Sequence, residues 1–123
     1  MSRRKRMTIT VRIILALAAV VVWRVWFPGR NFDAVAWHDP VLVQRGVRLA
    51  MADRLIARRA LNGKTRAEVV EMLGEPPDTG YFRNWDLVYW IGPERGLFGI
   101  DSEWLVARLG RDGDVVECRI VRD

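Results

Sequence analysis

Three patterns of apolar residues follow one another along the chain. The first is an unbroken run of eleven apolar residues from Ile13 to Trp23. In the second, between residues 39 and 74, apolar positions recur three and four apart, which predicts amphipathic helices. From Trp85 onward the period shortens to two, which is typical of strands with one buried face. The pattern therefore predicts an N-terminal apolar segment followed by a small α+β domain.

The apolar run alone is too short to span a bilayer, but its flanks extend it to residues 8–27. Trp23, Trp26 and Phe27 cluster at one end, where membrane proteins carry an aromatic belt. We expect residues 8–27 to form an uncleaved signal-anchor transmembrane helix. A cleaved signal peptide also fits the basic start and the length of the run, and a helix buried in the domain core is a third alternative.

The charges around this segment predict its orientation. Residues 1–30 contain no acidic residue, and only Arg24 and Arg30 follow the run, whereas five basic residues precede it: Arg3, Arg4, Lys5, Arg6 and Arg12. Because basic residues favour the cytoplasmic side, residues 1–12 should form a basic cytoplasmic tail. Residues 28–38, which begin with Pro-Gly, are then a linker to a domain at residues 39–123 on the other side of the membrane.

The first helix of the domain has a clear start. Asp39 is a good N-cap, and Pro40 fits the first helical position, where its missing N–H group costs nothing. Apolar spacing then continues to about Arg59, which predicts one amphipathic helix over residues 39–59. Gly63 suits the left-handed position that closes such a helix.

The second helix has signals at both ends. Thr65 and Glu68 form a T-x-x-E capping box at its start. Gly74 ends it, and Pro76 with Pro77 prevents the helix from resuming. The sequence thus predicts two helices joined by a tight turn.

Three strands are predicted next, at residues 85–91, 103–109 and 115–121, with a D-G hairpin turn before the last. The last strand alternates, which predicts one buried face formed by Val116, Cys118 and Ile120. The expected fold class is α+β: two N-terminal helices packed on a small three-stranded antiparallel sheet, preceded by one transmembrane helix.

Composition excludes several functions. The net charge of +5 resembles that of a nucleic-acid-binding protein, but seven of the twenty basic residues lie in residues 1–30. Residues 31–123 therefore carry thirteen basic against fifteen acidic residues, so nucleic acid is not an expected partner. One cysteine and one histidine exclude an intrachain disulfide and a Cys/His metal cluster, and no cofactor is expected.

One segment carries a family resemblance: Leu61-x-Gly63-x-Thr65-x-x-x-Val69-x-x-x-Leu73-Gly74-x-Pro76. It resembles the helical signature of the SmpA/OmlA (BamE-like) domain family, and the similarity in element order covers roughly residues 47–121. The resemblance implies a non-catalytic module of the cell envelope that binds proteins or lipid headgroups, as in outer-membrane assembly. The matched positions carry over as fold determinants: Leu61, Gly63, Thr65, Leu73, Gly74 and Pro76. The chain departs from the pattern because it lacks a lipobox cysteine after the apolar run.

Candidates for catalysis are few, and we expect the protein not to be an enzyme. Asp101 and Glu103 are two residues apart, so on a strand they would share a face, as paired carboxylates for acid–base chemistry do. A solvated turn is the more common meaning of Asp-Ser-Glu at the start of a strand. A small membrane-associated enzyme that uses this region stays an alternative.

The candidate binding surface lies around the predicted loop at residues 92–101. Leu97 and Phe98 stand between glycines in this loop, beside Arg95, and either contact a partner or fold back over the end of the sheet. Trp90 and Trp104 belong to the strands, and an outward-facing tryptophan there would be a natural hot spot for a protein partner.

These features together predict a membrane-anchored, extracytoplasmic protein-interaction module. The expected location is the inner membrane, in a single pass, with the N-terminus in the cytoplasm and the domain in the periplasm. The expected partners are membrane lipid, through the N-terminal helix, and another envelope protein. A soluble intracellular binding domain is the remaining alternative.

Overall fold

A three-stranded antiparallel sheet organises the domain in the computed structural model, which describes residues 9–18, 29–96 and 99–123. The helices are α1 (residues 9–18), α2 (Ala34–His38), α3 (Pro40–Gln44), α4 (Val47–Ala57) and α5 (Arg66–Leu73). The strands are β1 (Leu87–Pro93), β2 (Ser102–Leu109) and β3 (Val115–Arg122), in the spatial order β1-β2-β3. The α+β class and the antiparallel sheet are confirmed.

The helix predicted over residues 39–59 is two helices, α3 and α4. Its start is as expected, because the Asp39 carboxylate accepts hydrogen bonds from the N–H groups of Val41 and Leu42 at 2.9 and 3.2 Å. The helix then stops at Gln44, and Gly46 takes a left-handed backbone with φ of 85°. A right-handed helix cannot continue through that conformation, which glycine adopts without strain. The apolar spacing persists across the break, so it conceals the turn.

The predicted capping box of α5 is present in full. The Thr65 hydroxyl accepts a hydrogen bond from the Glu68 N–H at 3.2 Å, and the Glu68 carboxylate accepts one from the Thr65 N–H at 3.2 Å. Gly74, with φ of 89°, ends the helix. Both signals are local in sequence, which is why they could be predicted.

β3 contains a bulge that changes which side chains are buried. Leu109 pairs with Val115 while Arg108 pairs with Glu117, so Val116 is an extra residue on β3. Val115 is therefore buried, and Val116 is 59% exposed. The prediction that Val116 shares the buried face with Cys118 and Ile120 is wrong for this one residue, because the bulge shifts the alternation.

The main core lies between the helices and one face of the sheet, and its centre includes a residue from the predicted linker. Trp37, on α2, has no exposed surface, and its indole N–H donates to the Leu73 carbonyl at 3.0 Å. Arg30 also contacts the domain, since its N–H donates to the Ala50 carbonyl at 3.1 Å. Residues 30–38 thus pack with the domain that was predicted to begin at residue 39.

Only part of the predicted anchor can be compared with the structure. Residues 9–18 are helical, and the rest of the segment at 8–27 lies outside the described residues, as do residues 1–8. Every residue of α1 is exposed, including the large apolar side chains of Ile13, Ile14 and Leu17. The alternative of a core helix is therefore not seen for residues 9–18. Within the described ranges, no helix has both the length and the apolar character needed to cross a bilayer.

Candidate functional site

The face of the sheet that points away from the helices has its own apolar cluster. Val88, Trp104 and Val106 are buried there. They are covered by side chains from the segment between α5 and β1, namely Phe82 and Trp85, rather than by a helix. This covering segment, residues 75–86, contains no helix or strand. The outer face of the sheet is therefore covered by side chains of a segment that has no regular secondary structure.

Aromatic rings stack over Trp104. The ring centroids of Tyr81 and Phe82 lie 5.6 and 6.1 Å from that of Trp104, with interplanar angles of 38° and 59°. Such tilted pairs contribute about 0.5–1.5 kcal/mol beyond burial alone. The Trp104 indole is also held by a hydrogen bond, because its N–H donates to the Asp123 carboxylate at 3.0 Å. Tyr81 remains 55% exposed, so a large aromatic ring is presented to solvent on a fixed base.

The backbone beneath these rings is strained. Phe82 has a φ of 56°, in the left-handed region, which costs a non-glycine residue roughly 1–2 kcal/mol. A hydrogen bond from the Trp85 N–H to the Phe82 carbonyl at 3.0 Å closes the turn that follows. Strain of this kind is concentrated at binding and catalytic sites, where the rest of the structure maintains it.

A cavity of about 150 Å³ opens beside the rings. We call it the aromatic cleft; its walls include Pro76, Pro77, Asp78, Tyr81, Phe82 and Trp85. Pockets for drug-sized ligands usually measure about 300–1,000 Å³. The aromatic cleft therefore has room for one or two side chains and not for a large cofactor.

The rim of the aromatic cleft carries charges of both signs. Asp78 and Arg83 are exposed, and no described residue forms a hydrogen bond or ion pair with either side chain. Asp86 is partly engaged, since its carboxylate accepts a hydrogen bond from the Leu109 N–H at 2.7 Å. Two carboxylates and one guanidinium give this rim a net charge of −1.

Trp85, one wall of the aromatic cleft, is fixed by an arginine. The guanidinium carbon of Arg108 lies 4.4 Å from the centroid of the Trp85 ring. One terminal nitrogen of Arg108 is 3.6 Å from the Glu117 carboxylate, and its Nε is buried with no hydrogen-bond partner in the part of the chain that the structure describes. Arg108 is thus occupied by the indole and by Glu117.

The two predicted tryptophans differ in position and in exposed surface: Trp104 belongs to the outer cluster, and Trp90 packs against both apolar clusters. Trp90 pairs with Trp104 across the two strands and is half-buried, and its carbonyl accepts a hydrogen bond from Arg48 at 3.1 Å. Trp104 is only 7% exposed, because Tyr81 and Phe82 cover it. Trp104 therefore supports the rings of Tyr81 and Phe82 and offers little surface of its own to a partner.

The predicted loop residues are placed in part. Leu97 and Phe98 lie outside the described residues. Arg95 binds two carboxylates, those of Asp53 on α4 and Glu103 on β2, and so ties the loop to the helix layer. Hydrogen bonds to Glu103 and Asp53 raise the pKa of Arg95.

The carboxylate pair proposed for catalysis does not share one environment. Asp101 is exposed, whereas the Glu103 side chain is only 3% exposed and accepts hydrogen bonds from the N–H, Nε and Nη2 of Arg95 at 2.8–3.0 Å. Burial by itself would raise the pKa of Glu103, but the bonds from Arg95 outweigh it and lower that pKa. A carboxylate held ionised in this way fits a structural ion pair better than proton transfer.

Metal and thiol chemistry find little support in the part of the chain that the structure describes. No cluster of three His, Cys, Asp or Glu side chains there could hold a metal ion. Burial raises the pKa of the Cys118 thiol to about 12, so it stays protonated at neutral pH and is a poor nucleophile.

Sequence reasoning missed Tyr81 and Phe82, and it placed Trp85 at the start of a strand over residues 85–91, whereas β1 begins at Leu87 and Trp85 belongs to the covering segment. Tyr81 and Phe82 follow no helical or strand period, and the partners of all three rings come from β1 and β2. The available signal was their density: three aromatic residues within five positions, shortly after Pro76-Pro77.

No protein-family model, curated protein or solved structure matches the chain. The resemblance to the SmpA/OmlA (BamE-like) family therefore stays a hypothesis based on its own motif. The structure gives several motif residues roles in the fold: Leu61 and Leu73 are buried in the core, and Thr65 and Gly74 bound α5.

Proposed function

We propose that the protein is a membrane-tethered, extracytoplasmic interaction module that binds a segment of another envelope protein in the aromatic cleft. The observation that carries this proposal is the exposed Tyr81 ring, held over the buried Trp104 beside an open cavity. Tyrosine and tryptophan supply much of the binding energy at protein interfaces, since they offer large rigid surfaces at low entropic cost.

The strained turn supports the binding role. A left-handed Phe82 is tolerated although it lowers stability, and its ring contacts those of both Tyr81 and Trp104. A cleft built before the ligand arrives saves the ordering cost that a flexible loop would incur on binding.

The exposure of α1 supports the tether. A helix that is apolar on all sides is stable where it is surrounded by protein core or by lipid. None of the residues of α1 is buried in the domain. Lipid around this segment, with the basic residues before it in the cytoplasm, places the domain on the periplasmic side of the inner membrane. The resemblance to the SmpA/OmlA family supports the same compartment.

A photocrosslinking experiment tests the binding role. A photoreactive phenylalanine analogue would replace Tyr81 in the full-length chain, expressed in bacterial membranes, and the matched control would carry the analogue at Val116, which is 59% exposed on β3. We expect a discrete protein adduct from position 81 that is weak or missing from position 116. Equal adducts from both positions, or none from position 81, would contradict the proposal.

A fusion experiment tests the orientation. Alkaline phosphatase, which is active only after export, would be joined after Arg30, where the first backbone contact with the domain is made. Activity in the fusion is the expected result. An inactive fusion that accumulates at a normal level would show that the domain stays in the cytoplasm.

A further inference from the structure

We infer that the aromatic cleft selects a cationic side chain, arginine in particular, on an extended segment of its partner protein. This inference rests on the proposed function, because it specifies the chemistry of what the same cleft binds. It depends on three features of the cleft: its charge, its rings and its size.

The charge of the rim favours a cation. The carboxylate of Asp78 is exposed and has no partner among the described residues, and the carboxylate of Asp86 accepts a single backbone hydrogen bond. Of the described residues that line the cleft, Arg83 alone is basic. An acidic segment could pair with Arg83 but would meet two carboxylates, whereas a basic segment can pair with Asp78 and meets only the one guanidinium.

The rings favour a flat cation. A guanidinium group over an aromatic face gains electrostatic attraction and stacks on the ring. The described part of the chain contains two such contacts, with Arg108 over Trp85 at 4.4 Å and Arg48 over Trp37 at 4.8 Å. Tyr81 is exposed and no cation from the described residues lies over it, so its ring is available to a guanidinium supplied by a partner.

The size of the cleft favours one long side chain. About 150 Å³ accommodates an arginine side chain but not a whole drug-sized molecule. Pro76 and Pro77 line the cleft and have no N–H groups to donate, so the recognition falls to side chains and not to a backbone ladder. An extended segment can insert one residue while its neighbours rest on the tyrosine and proline surfaces.

The test uses random dodecapeptides displayed on phage and the full-length chain held in lipid nanodiscs. Bound peptides would be selected in low salt, and the best would be resynthesised with a fluorescent label for measurement of Kd by anisotropy. We expect the selected peptides to share an arginine. Replacing that arginine by citrulline, which has nearly the same shape and no charge, should weaken binding about tenfold or more.

Variants of the protein locate the effect. Asp78→Asn should weaken binding of the arginine peptide roughly three- to tenfold, and the matched control Asp112→Asn, in the β2–β3 turn, should leave Kd unchanged. Circular dichroism checks that both variants fold. If selected peptides lose binding with Tyr81→Ala but contain no basic residue, or bind equally well with citrulline, the inference is wrong and the proposed function stands. If no peptide depends on Tyr81, the proposed function itself fails.

Discussion

The sheet has regular helices on one face and the irregular segment at residues 75–86 on the other. On the helix side, buried aliphatic and aromatic residues from every described helix except α1 meet the strands in one continuous core. On the outer side, three buried residues are closed over by the rings of a loop that contains a left-handed phenylalanine. The first face is built for stability. The second sacrifices some stability and keeps an aromatic ring and a cavity at the surface.

The largest effect should come from the helix side. Trp37→Ala removes a fully buried ring and its hydrogen bond to Leu73, and should lower the free energy of unfolding by about 4 kcal/mol. Urea denaturation followed by circular dichroism measures this. Val35→Ala, on the same helix at 81% exposure, is the control and should change stability by less than about 0.5 kcal/mol. A loss at Trp37 no greater than that at Val35 would contradict the position of α2 in the core.

The matched substitution on the outer face should cost less. Trp104→Ala leaves space that the covering segment can partly fill, because that segment is not held in a helix or strand. We expect a loss of about 2 kcal/mol by the same urea measurement. A loss equal to that of Trp37→Ala would show that the two faces are equally rigid, and the comparison would fail.

A pH titration examines the ion pair at the end of the sheet. Because Arg95 lowers the pKa of Glu103, the pair contributes stability above the ordinary glutamate pKa of 4.5. That contribution is lost as the pH falls through the lowered value. Glu103→Gln should therefore cost about 1.5 kcal/mol at pH 7 and progressively less in acid. Unfolding curves of both proteins that stay equally far apart down to pH 2 would contradict the ionic origin.

The smallest effect on stability should be that of Tyr81→Ala. Its exposed ring contacts Trp104 and Phe82, so the loss should be about 0.5–1 kcal/mol. Binding of a selected peptide, in contrast, should weaken tenfold or more. Unfolding measurements and anisotropy on the same preparation separate the two quantities. A large loss of stability with unchanged binding would reverse the roles assigned to this ring.

The parts of the fold that could be predicted from sequence depend on near neighbours. The Thr65–Glu68 capping box and the Asp39 cap each act within three residues, and both are present as expected. The bulge at Val116 depends on how β3 pairs with β2, and no local pattern marks it. The break at Gly46 is intermediate in how well the sequence could predict it. A glycine favours a break there, whereas the apolar spacing favours one continuous helix.

The candidate site could be predicted only in outline. The sequence pointed to an outward-facing tryptophan among Trp90 and Trp104; Trp104 belongs to the cluster away from the helices, whereas Trp90 packs against both clusters. What covers the cluster away from the helices could not be foreseen, because Tyr81 and Phe82 reach Trp104 across more than twenty residues of chain. Aromatic residues that follow no helical or strand periodicity pack against residues distant in sequence. Their partners can be identified only from the tertiary structure.

The backbone hydrogen bond between Arg30 and Ala50 limits how far the domain can travel in the proposed arrangement. Three residues, 28–30, separate the predicted end of the span at residue 27 from this hydrogen bond, which is the first backbone contact with the domain that the described residues make. Fully stretched, three residues reach roughly 10 Å. In this arrangement the domain would stay within about that distance of the lipid surface. A partner protein would therefore have to approach the membrane surface to bind.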